Sequence, residues 1–261
     1  MCYVAAVTAS EVRATSFGQV ADDYDRLRPG PAPAALDWLV PSGCAVAVDL
    51  AAGTGLFTRA LRPWVTDVIA VEPDDRMRAV LAARSPGVRA VAGRGEAIPL
   101  PDASVDALFI SSAWHWLDHD LAVPEIARVL RDGGRLGVLW TSRDRHTDWV
   151  ADLERRREPG PADQAAQADK QARRRRQVTL PENGLFENLQ HESFTFTRTM
   201  AVDDAVNWYA TYSGLITATD EDRAAALAQV RAGLLSRAGA DDLVEIPMRS
   251  ACWRADRIAR N

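Results

Sequence analysis

The stretch Val46-Ala47-Val48-Asp49-Leu50-Ala51-Ala52-Gly53-Thr54-Gly55-Leu56-Phe57-Thr58-Arg59-Ala60-Leu61 decides the fold of this chain. A short apolar run ends near an acidic residue, continues into a glycine-containing turn, and passes directly into an apolar pattern typical of a helix. The stretch therefore predicts a strand, a tight loop and a helix. Gly53 and Gly55 lack a Cβ, so they can adopt positive φ and let a ligand approach the backbone. Asp49 is predicted at the carboxyl end of the strand, where open α/β sheets bind ligands.

A second acidic residue bears on the choice of cofactor. Residues 65–71 predict a second buried strand that ends in Glu72 and Pro73, and Glu72 lies 19 residues after the first glycine of the loop. That is near the spacing at which a carboxylate accepts hydrogen bonds from ribose hydroxyls. A dinucleotide fingerprint needs a third Gly or Ala three residues after the second glycine, and that position is Thr58. This weakens, without excluding, a NAD(P)-dependent oxidoreductase.

The glycine loop resembles motif I of the class I methyltransferases that use S-adenosylmethionine. That motif reads acid-x-Gly-x-Gly-x-Gly, and Ala51 stands here in place of the first glycine. Segments 17–29, 93–106 and 131–140 resemble further parts of the same family in the correct order. The resemblance spans residues 17–141 and, more loosely, 190–257, and motif order is harder to obtain by chance than one motif.

The resemblance implies a set of cofactor-binding residues in five parts of the chain. Arg28 is the most ambiguous of them, because a surface helix with a solvated charged face explains it equally well. The implied residues are Tyr24 and Arg28 in the N-terminal cap, Asp49, Ala51, Gly53 and Gly55 at the amino-acid end, Glu72 with Pro73 at the ribose, Gly95 and Glu96 on the adenine side, and Ser111 near the methyl group.

A fourth predicted strand, residues 107–112, delivers an aromatic-rich segment to the same edge of the sheet. The order Trp114-His115-Trp116 resembles the type 11 branch of the family, which acts on small metabolites, and Trp114 is a candidate substrate contact. His115 is either a general base, because histidine is the side chain whose ordinary pKa lies nearest neutrality, or a residue that lines the pocket. We expect no metal there, because His119 supplies the helical spacing but no third ligand follows.

The C-terminal part predicts a lid. Candidate strands at 192–199 and 243–253 are separated by about 40 residues of predicted helix, too many for a plain turn. Together with the N-terminal helices this insertion would roof the substrate pocket. For Trp208 the alternative is that it packs the insertion onto the sheet. The candidate lid residues that contact substrate are Trp208, Tyr209, Tyr212 and Ser213.

Composition limits the partners. The formal net charge is −5 and the pI about 5.5 over 261 residues, so nucleic acid is disfavoured as a substrate. Three scattered cysteines suit a reduced, cytoplasmic setting. No apolar run approaches the roughly 18 residues of a membrane span, and we expect a monomer or homodimer without membrane attachment.

We therefore expect an α/β fold: a doubly wound, seven-stranded, mostly parallel Rossmann-like sheet with a helical lid. The expected regions are an N-terminal helical cap (1–40), a cofactor-binding core (41–157), a polar linker or helix (158–177), and C-terminal strands (178–261) that include the lid insertion at about 201–240. The expected activity is methyl transfer from S-adenosylmethionine to a small molecule by in-line displacement. A non-catalytic protein that binds the same cofactor is the second alternative.

Overall fold

A seven-stranded sheet forms the centre of the computed structural model, which describes residues 27–157, 177–182, 184–211, 215 and 218–259. The strands are β1 (Val46–Leu50), β2 (Asp67–Val71), β3 (Arg89–Val91), β4 (Val105–Ser111), β5 (Leu130–Arg143), β6 (Phe186–Ala201) and β7 (Leu243–Arg257). The helices used below are α1 (Pro33–Leu39), α2 (Leu56–Leu61), α3 (Asp75–Arg84), α4 (His119–Val129), α5 (Asp148–Arg157), α6 (Val202–Ala210) and α7 (Asp220–Leu235).

The strand order is β3-β2-β1-β4-β5-β7-β6. Strands β1 to β5 pair in parallel, whereas β7 is antiparallel to both β5 and β6. The predicted doubly wound seven-stranded sheet is thereby confirmed, and the sheet is mixed rather than wholly parallel. The order reverses between β1 and β4, and this switch point is where open sheets of this kind leave a crevice at the carboxyl ends of their strands.

Strand β4 shows why the sheet is covered on both faces. Residues 107–110 are fully buried, so this strand lacks the polar alternation of a half-exposed strand. Leu108 and Ile110 join the apolar cluster under α4, whereas Ala107 and Phe109 join the cluster under α1 and α2. Burial on both faces fixes the register of β4 and hence the position of the residues that follow it.

Side chains cap the first turns of three helices. Asp74 accepts hydrogen bonds from the backbone N–H groups of Arg76 and Met77 at the start of α3. Asp118 and Thr219 cap α4 and α7 in the same manner. Each such cap contributes about 1 kcal/mol to stability. Because Asp74 occupies the N-cap position of α3, Glu72 is not needed there and is available for another role.

The insertion predicted to form a lid, called the lid below, consists of α6 and α7, which lie between β6 and β7 in the sequence. Leu27 is buried in the apolar cluster of these helices, and its carbonyl accepts a hydrogen bond of 2.6 Å from Arg198. By contrast α1, assigned above to the N-terminal cap, packs on the face of the sheet against β6 and β7. Tyr24, Tyr212, Ser213 and residues 158–176 lie outside the described residues.

Candidate functional site

The loop after β1 has the left-handed backbone that its glycines suggest. Ala51, Gly53 and Gly55 have φ of 58°, 57° and 80°. Ala51 thus adopts a conformation that costs an L-residue about 1–2 kcal/mol, which explains why glycine is usual at this position in the family motif. A Cβ on Gly55 would come within 2.8 Å of Leu81, whereas a Cβ on Gly53 would meet nothing within 4 Å. Gly53 therefore leaves open space beside its backbone.

Asp49 is a fully buried carboxylate of which one oxygen accepts a hydrogen bond and the other has no partner among the described residues. Thr58 donates a hydrogen bond of 2.6 Å from Oγ1 to Asp49 Oδ2. Asp49 Oδ1 is buried and has no hydrogen-bond partner among the described residues. Burial, reinforced by the charge of Glu72 and opposed by the Thr58 bond, raises the pKa of Asp49 to about 7. A cation bound beside Oδ1 would satisfy this oxygen and favour the ionised form.

Glu72 ties the glycine loop to the end of β2. Its Oε2 accepts from the backbone N–H of Gly53 at 2.8 Å, and its Oε1 accepts from that of Asp74 at 2.9 Å. The side chain is buried, and that burial raises the pKa of Glu72. Each carboxylate oxygen retains a lone pair, so Glu72 can still accept hydrogen bonds from a ligand. Its ribose contact stays a prediction.

A cleft opens at the carboxyl edge of the sheet over Asp49, and Glu72 is not among the residues that line it. Its empty space, with the solvent-open mouth included, is about 600 Å³. Its walls come from the segment before α1, the loop after β1, the start of α2, and the ends of β4 and β5. The residues that line it are Arg28, Pro29, Gly30, Pro31, Asp49, Ala51, Ala52, Gly53, Thr54, Leu56, Phe57, Ser111, Ser112 and Thr141.

Arg28 joins this cleft to the lid. Its guanidinium donates a hydrogen bond of 3.3 Å to the carbonyl of Thr211, at the end of α6. The residues after it, Pro29 to Pro31, form part of the wall of the cleft. The chain is anchored just beyond them, where Ser250 Oγ accepts from the backbone N–H of Ala32 at 3.0 Å. The segment before α1 therefore forms one wall of the cleft and is anchored at both ends. That the N-terminal part of the chain closes over a cofactor stays a prediction.

The predicted adenine-side residues connect two loops. Glu96 accepts a hydrogen bond of 3.0 Å from the backbone N–H of Asp118. A Cβ on Gly95 would lie 2.8 Å from Leu117 Cδ2, so a larger residue there would require the Leu117 side chain to move. Pro73 is exposed next to Glu72. Contacts of these three residues with a cofactor stay predictions.

The aromatic segment after β4 does not enter the described walls of the cleft. The His115 ring packs against Trp116 at 4.5 Å and approaches Trp140 at 6.3 Å. Trp114 is fully buried under α4 and stacks on His119 at 4.6 Å. Of the predicted residues Ser111, Trp114 and His115, only Ser111, the last residue of β4, lines the cleft.

Trp208 and Tyr209 are fully buried in the lid. The Arg143 guanidinium lies over both rings, 4.4 Å from the first and 3.6 Å from the second, and forms a buried ion pair with Glu154 on α5. The packing alternative is therefore the one observed for Trp208. For either aromatic residue to contact a substrate, the lid would have to open.

Sequence reasoning missed Thr58, Arg143 and the two cleft residues Ser112 and Thr141. The signal for Thr58 was a hydroxyl one turn into the helix that follows an acidic strand end, and the signal for Arg143 was a charged residue at the end of a buried strand. Among the described residues, no group of three or more His, Cys, Asp or Glu side chains could hold a metal ion. No helix in that same part of the chain combines the length and apolarity needed to span a bilayer.

Known proteins give the context for this arrangement. Residues 48–138 match the family model for a methyltransferase domain. An uncharacterized methyltransferase of Mycobacterium tuberculosis is 38% identical over 245 residues, which cover 92% of this chain and 95% of the relative.

Solved structures agree on the fold. A protein of Anaeromyxobacter dehalogenans, described as a candidate type II methyltransferase, superposes with a TM-score of 0.68 at 23% identity, covering 90% of this chain and 99% of its own. An N-methyltransferase of Haemonchus contortus, solved with phosphomonomethylethanolamine and S-adenosylhomocysteine, gives 0.54 at 14% identity, covering 100% of this chain and 62% of its own. The nearly full-length relationship to the mycobacterial protein, the match to the methyltransferase family model and the likeness in fold lead to one conclusion: the chain belongs to the class I S-adenosylmethionine-dependent methyltransferases.

Proposed function

We propose that this methyltransferase transfers the methyl group to a small-molecule acceptor bound in the covered cleft. One observation carries the proposal: the chain's own segment from Arg28 to Pro31 forms a wall of the cleft and is tied to the lid through Thr211. A covered cleft admits a small molecule more readily than a folded protein or a duplex. The net charge of −5 also gives a polyanionic acceptor no electrostatic attraction.

The chemistry of the site fits S-adenosylmethionine. This cofactor carries an α-ammonium group, a sulfonium and a ribose, but no phosphate. The unpartnered oxygen of Asp49 matches the ammonium, and the buried carboxylate of Glu72 matches the ribose hydroxyls. The space beside Gly53 would accommodate the amino-acid portion. Arg28 would hold the cofactor carboxylate from the opposite wall.

When bound, the cofactor supplies a methyl group on a good leaving group. The protein's part is then to hold the acceptor atom in line with that group and to exclude water. Ser111, Ser112 and Thr141 place hydroxyl groups at the ends of β4 and β5, where they can donate hydrogen bonds to an acceptor. No histidine lines the described walls, so we assign most of the rate enhancement to proximity and orientation.

Two alternative functions are less well supported: a NAD(P)-dependent oxidoreductase and a non-catalytic protein that binds S-adenosylmethionine. Thr58, where a dinucleotide fingerprint needs Gly or Ala, is buried and committed to Asp49, which disfavours NAD(P). A non-catalytic protein that binds the cofactor is disfavoured by the family assignment.

Isothermal titration with S-adenosylmethionine, S-adenosylhomocysteine and NAD tests the cofactor. A ligand present at 100 times its dissociation constant stabilises the fold by about 2.7 kcal/mol, so a thermal shift gives a second readout. Incubating the enzyme with methyl-labelled cofactor and a fractionated cell extract tests the acceptor. Label in the low-mass fraction is expected, and label in protein or nucleic acid would contradict a small-molecule acceptor.

A further inference from the structure

Thr58 reaches the cleft only through its contact with Asp49. The residue is fully buried within α2 and does not line the cleft, but its hydroxyl donates to Asp49 Oδ2 at 2.6 Å. Asp49 does line the cleft, and its other oxygen has no partner among the described residues. Any influence of Thr58 on a ligand must therefore pass through Asp49.

The hydrogen bond has two physical effects on the carboxylate. It favours the ionised form, because a hydroxyl that donates to a carboxylate stabilises the negative charge. It also restrains rotation about the Cβ–Cγ bond, because the second oxygen is then fixed relative to the first. Among the described residues, Glu72 is the charged group that opposes ionisation of Asp49, and Arg28 lines the same cleft. Among the described residues, Thr58 is the hydrogen-bond donor that the structure gives to Asp49.

We propose that Thr58 is a positioning residue, which holds Asp49 Oδ2 so that Oδ1 is presented, ionised, to the α-ammonium group of the cofactor. The proposal rests on the proposed cofactor contacts described above. It predicts that Thr58 matters only for ligands that carry the amino-acid portion. S-adenosylhomocysteine carries that portion, and 5′-methylthioadenosine lacks it but keeps the adenine and ribose.

The matched variants are Thr58→Val, which keeps the shape and removes the hydroxyl, and Thr58→Ser, which keeps the hydroxyl. Isothermal titration between pH 6 and pH 8 would measure the affinity of each for the two ligands. We expect Thr58→Val to lower the affinity for S-adenosylhomocysteine about tenfold at neutral pH, the usual effect of losing a hydrogen bond to a charged group. The pH midpoint of this binding should move upward, because Asp49 becomes harder to ionise. Affinity for 5′-methylthioadenosine should not change, and Thr58→Ser should resemble the wild type.

Equal loss of both ligands in Thr58→Val would mean a general distortion of the loop and would overturn the proposal. An unmoved pH midpoint would also overturn it. If Thr58→Val does not fold, Thr58→Ala replaces it and must show the same ligand-selective loss. A wild-type protein that binds neither ligand would refute the proposed cofactor contacts themselves, and that outcome is visible before any variant is made.

Discussion

Replacing Asp49 by Asn should stabilise the cofactor-free protein at neutral pH while weakening cofactor binding. Asp49 is fully buried, and burial, with the nearby charge of Glu72, raises its pKa to about 7 despite the hydrogen bond from Thr58. Ionising this group inside the fold is therefore costly. Asn has nearly the same shape, can still accept from Thr58, and carries no charge.

The magnitude follows from the difference between the two pKa values. The ordinary pKa of 3.8 and the raised pKa of about 7 differ by about 3, and each pH unit corresponds to about 1.4 kcal/mol, which gives about 4 kcal/mol. Between about pH 4 and pH 7 the native Asp49 keeps a proton that the unfolded chain has released. The free energy of unfolding of the wild type therefore falls as pH rises through this window, and above it the contribution is constant. Asp49→Asn lacks this slope.

Urea unfolding of both proteins without cofactor, followed by tryptophan fluorescence from pH 4 to pH 8, measures the effect. The stability of Asp49→Asn relative to the wild type should rise by up to about 4 kcal/mol across this range. Any cost of the buried amide N–H is the same at every pH, so it cancels in the comparison. A stability difference that stays constant with pH would refute a raised pKa for Asp49.

Asp106→Asn is the matched control with the opposite sign. Burial opposes ionisation of Asp106, but the backbone N–H groups of Val46 and Ala45 and the Arg131 guanidinium together lower its pKa. A lowered pKa stabilises the native state above the unfolded pKa, and this stabilisation is lost as pH falls. Asp106→Asn should therefore lose more stability near neutral pH than in acid. The same measurement thus distinguishes Asp49, whose burial raises its pKa, from Asp106, whose hydrogen bonds and ion pair within the fold lower its pKa.

Three further substitutions test other parts of the site. Glu72→Ala should lower cofactor affinity at least a hundredfold, because it removes the proposed ribose contact and the acceptor for the Gly53 N–H; an unchanged dissociation constant in titration would exclude that role. Arg143→Leu should lower the free energy of unfolding in urea by about 3 kcal/mol, since it removes the buried one of the two arginines that pair with Glu154 and leaves only Arg145. Adding Glu154→Leu should recover part of this loss. His115→Ala should keep cofactor affinity and retain turnover within a few-fold. A loss of turnover of 100-fold or more would instead identify His115 as a general base.

The first half of the site was predictable because contiguous residues encode it. The apolar run, the acid and the two glycines define strand, loop and helix, so Asp49 and Gly53 could be placed at the sheet edge from spacing alone. The strand order was available only through the family resemblance. Spacing shows that β4 and β5 are strands, but it does not show which of them neighbours β1.

What the sequence could not predict depends on contacts between distant residues or on the direction of a side chain. Arg143 meets Trp208 and Tyr209 across the fold, more than 60 residues along the chain. The spacing of His115 brings it near the edge, but a short 3₁₀ turn at Trp114–Trp116 packs its ring against tryptophans outside the described cleft walls. A turn of three residues is enough to reverse such a direction, and no periodic pattern reports it.

Electrostatic coupling between Asp49 and Glu72 favours a bound cation more strongly than either carboxylate would alone. The charge of Glu72 helps to raise the pKa of Asp49, so the cofactor-free cleft resists holding two negative charges. A bound cation stabilises the ionised form of both carboxylates, so it offsets the repulsion between them. S-adenosylmethionine brings an ammonium and a sulfonium, whereas its demethylated product has lost the sulfonium charge. Under the proposed contacts Asp49 faces the α-ammonium group, which the product keeps, so the coupling favours both forms of the cofactor over a ligand that lacks this cation.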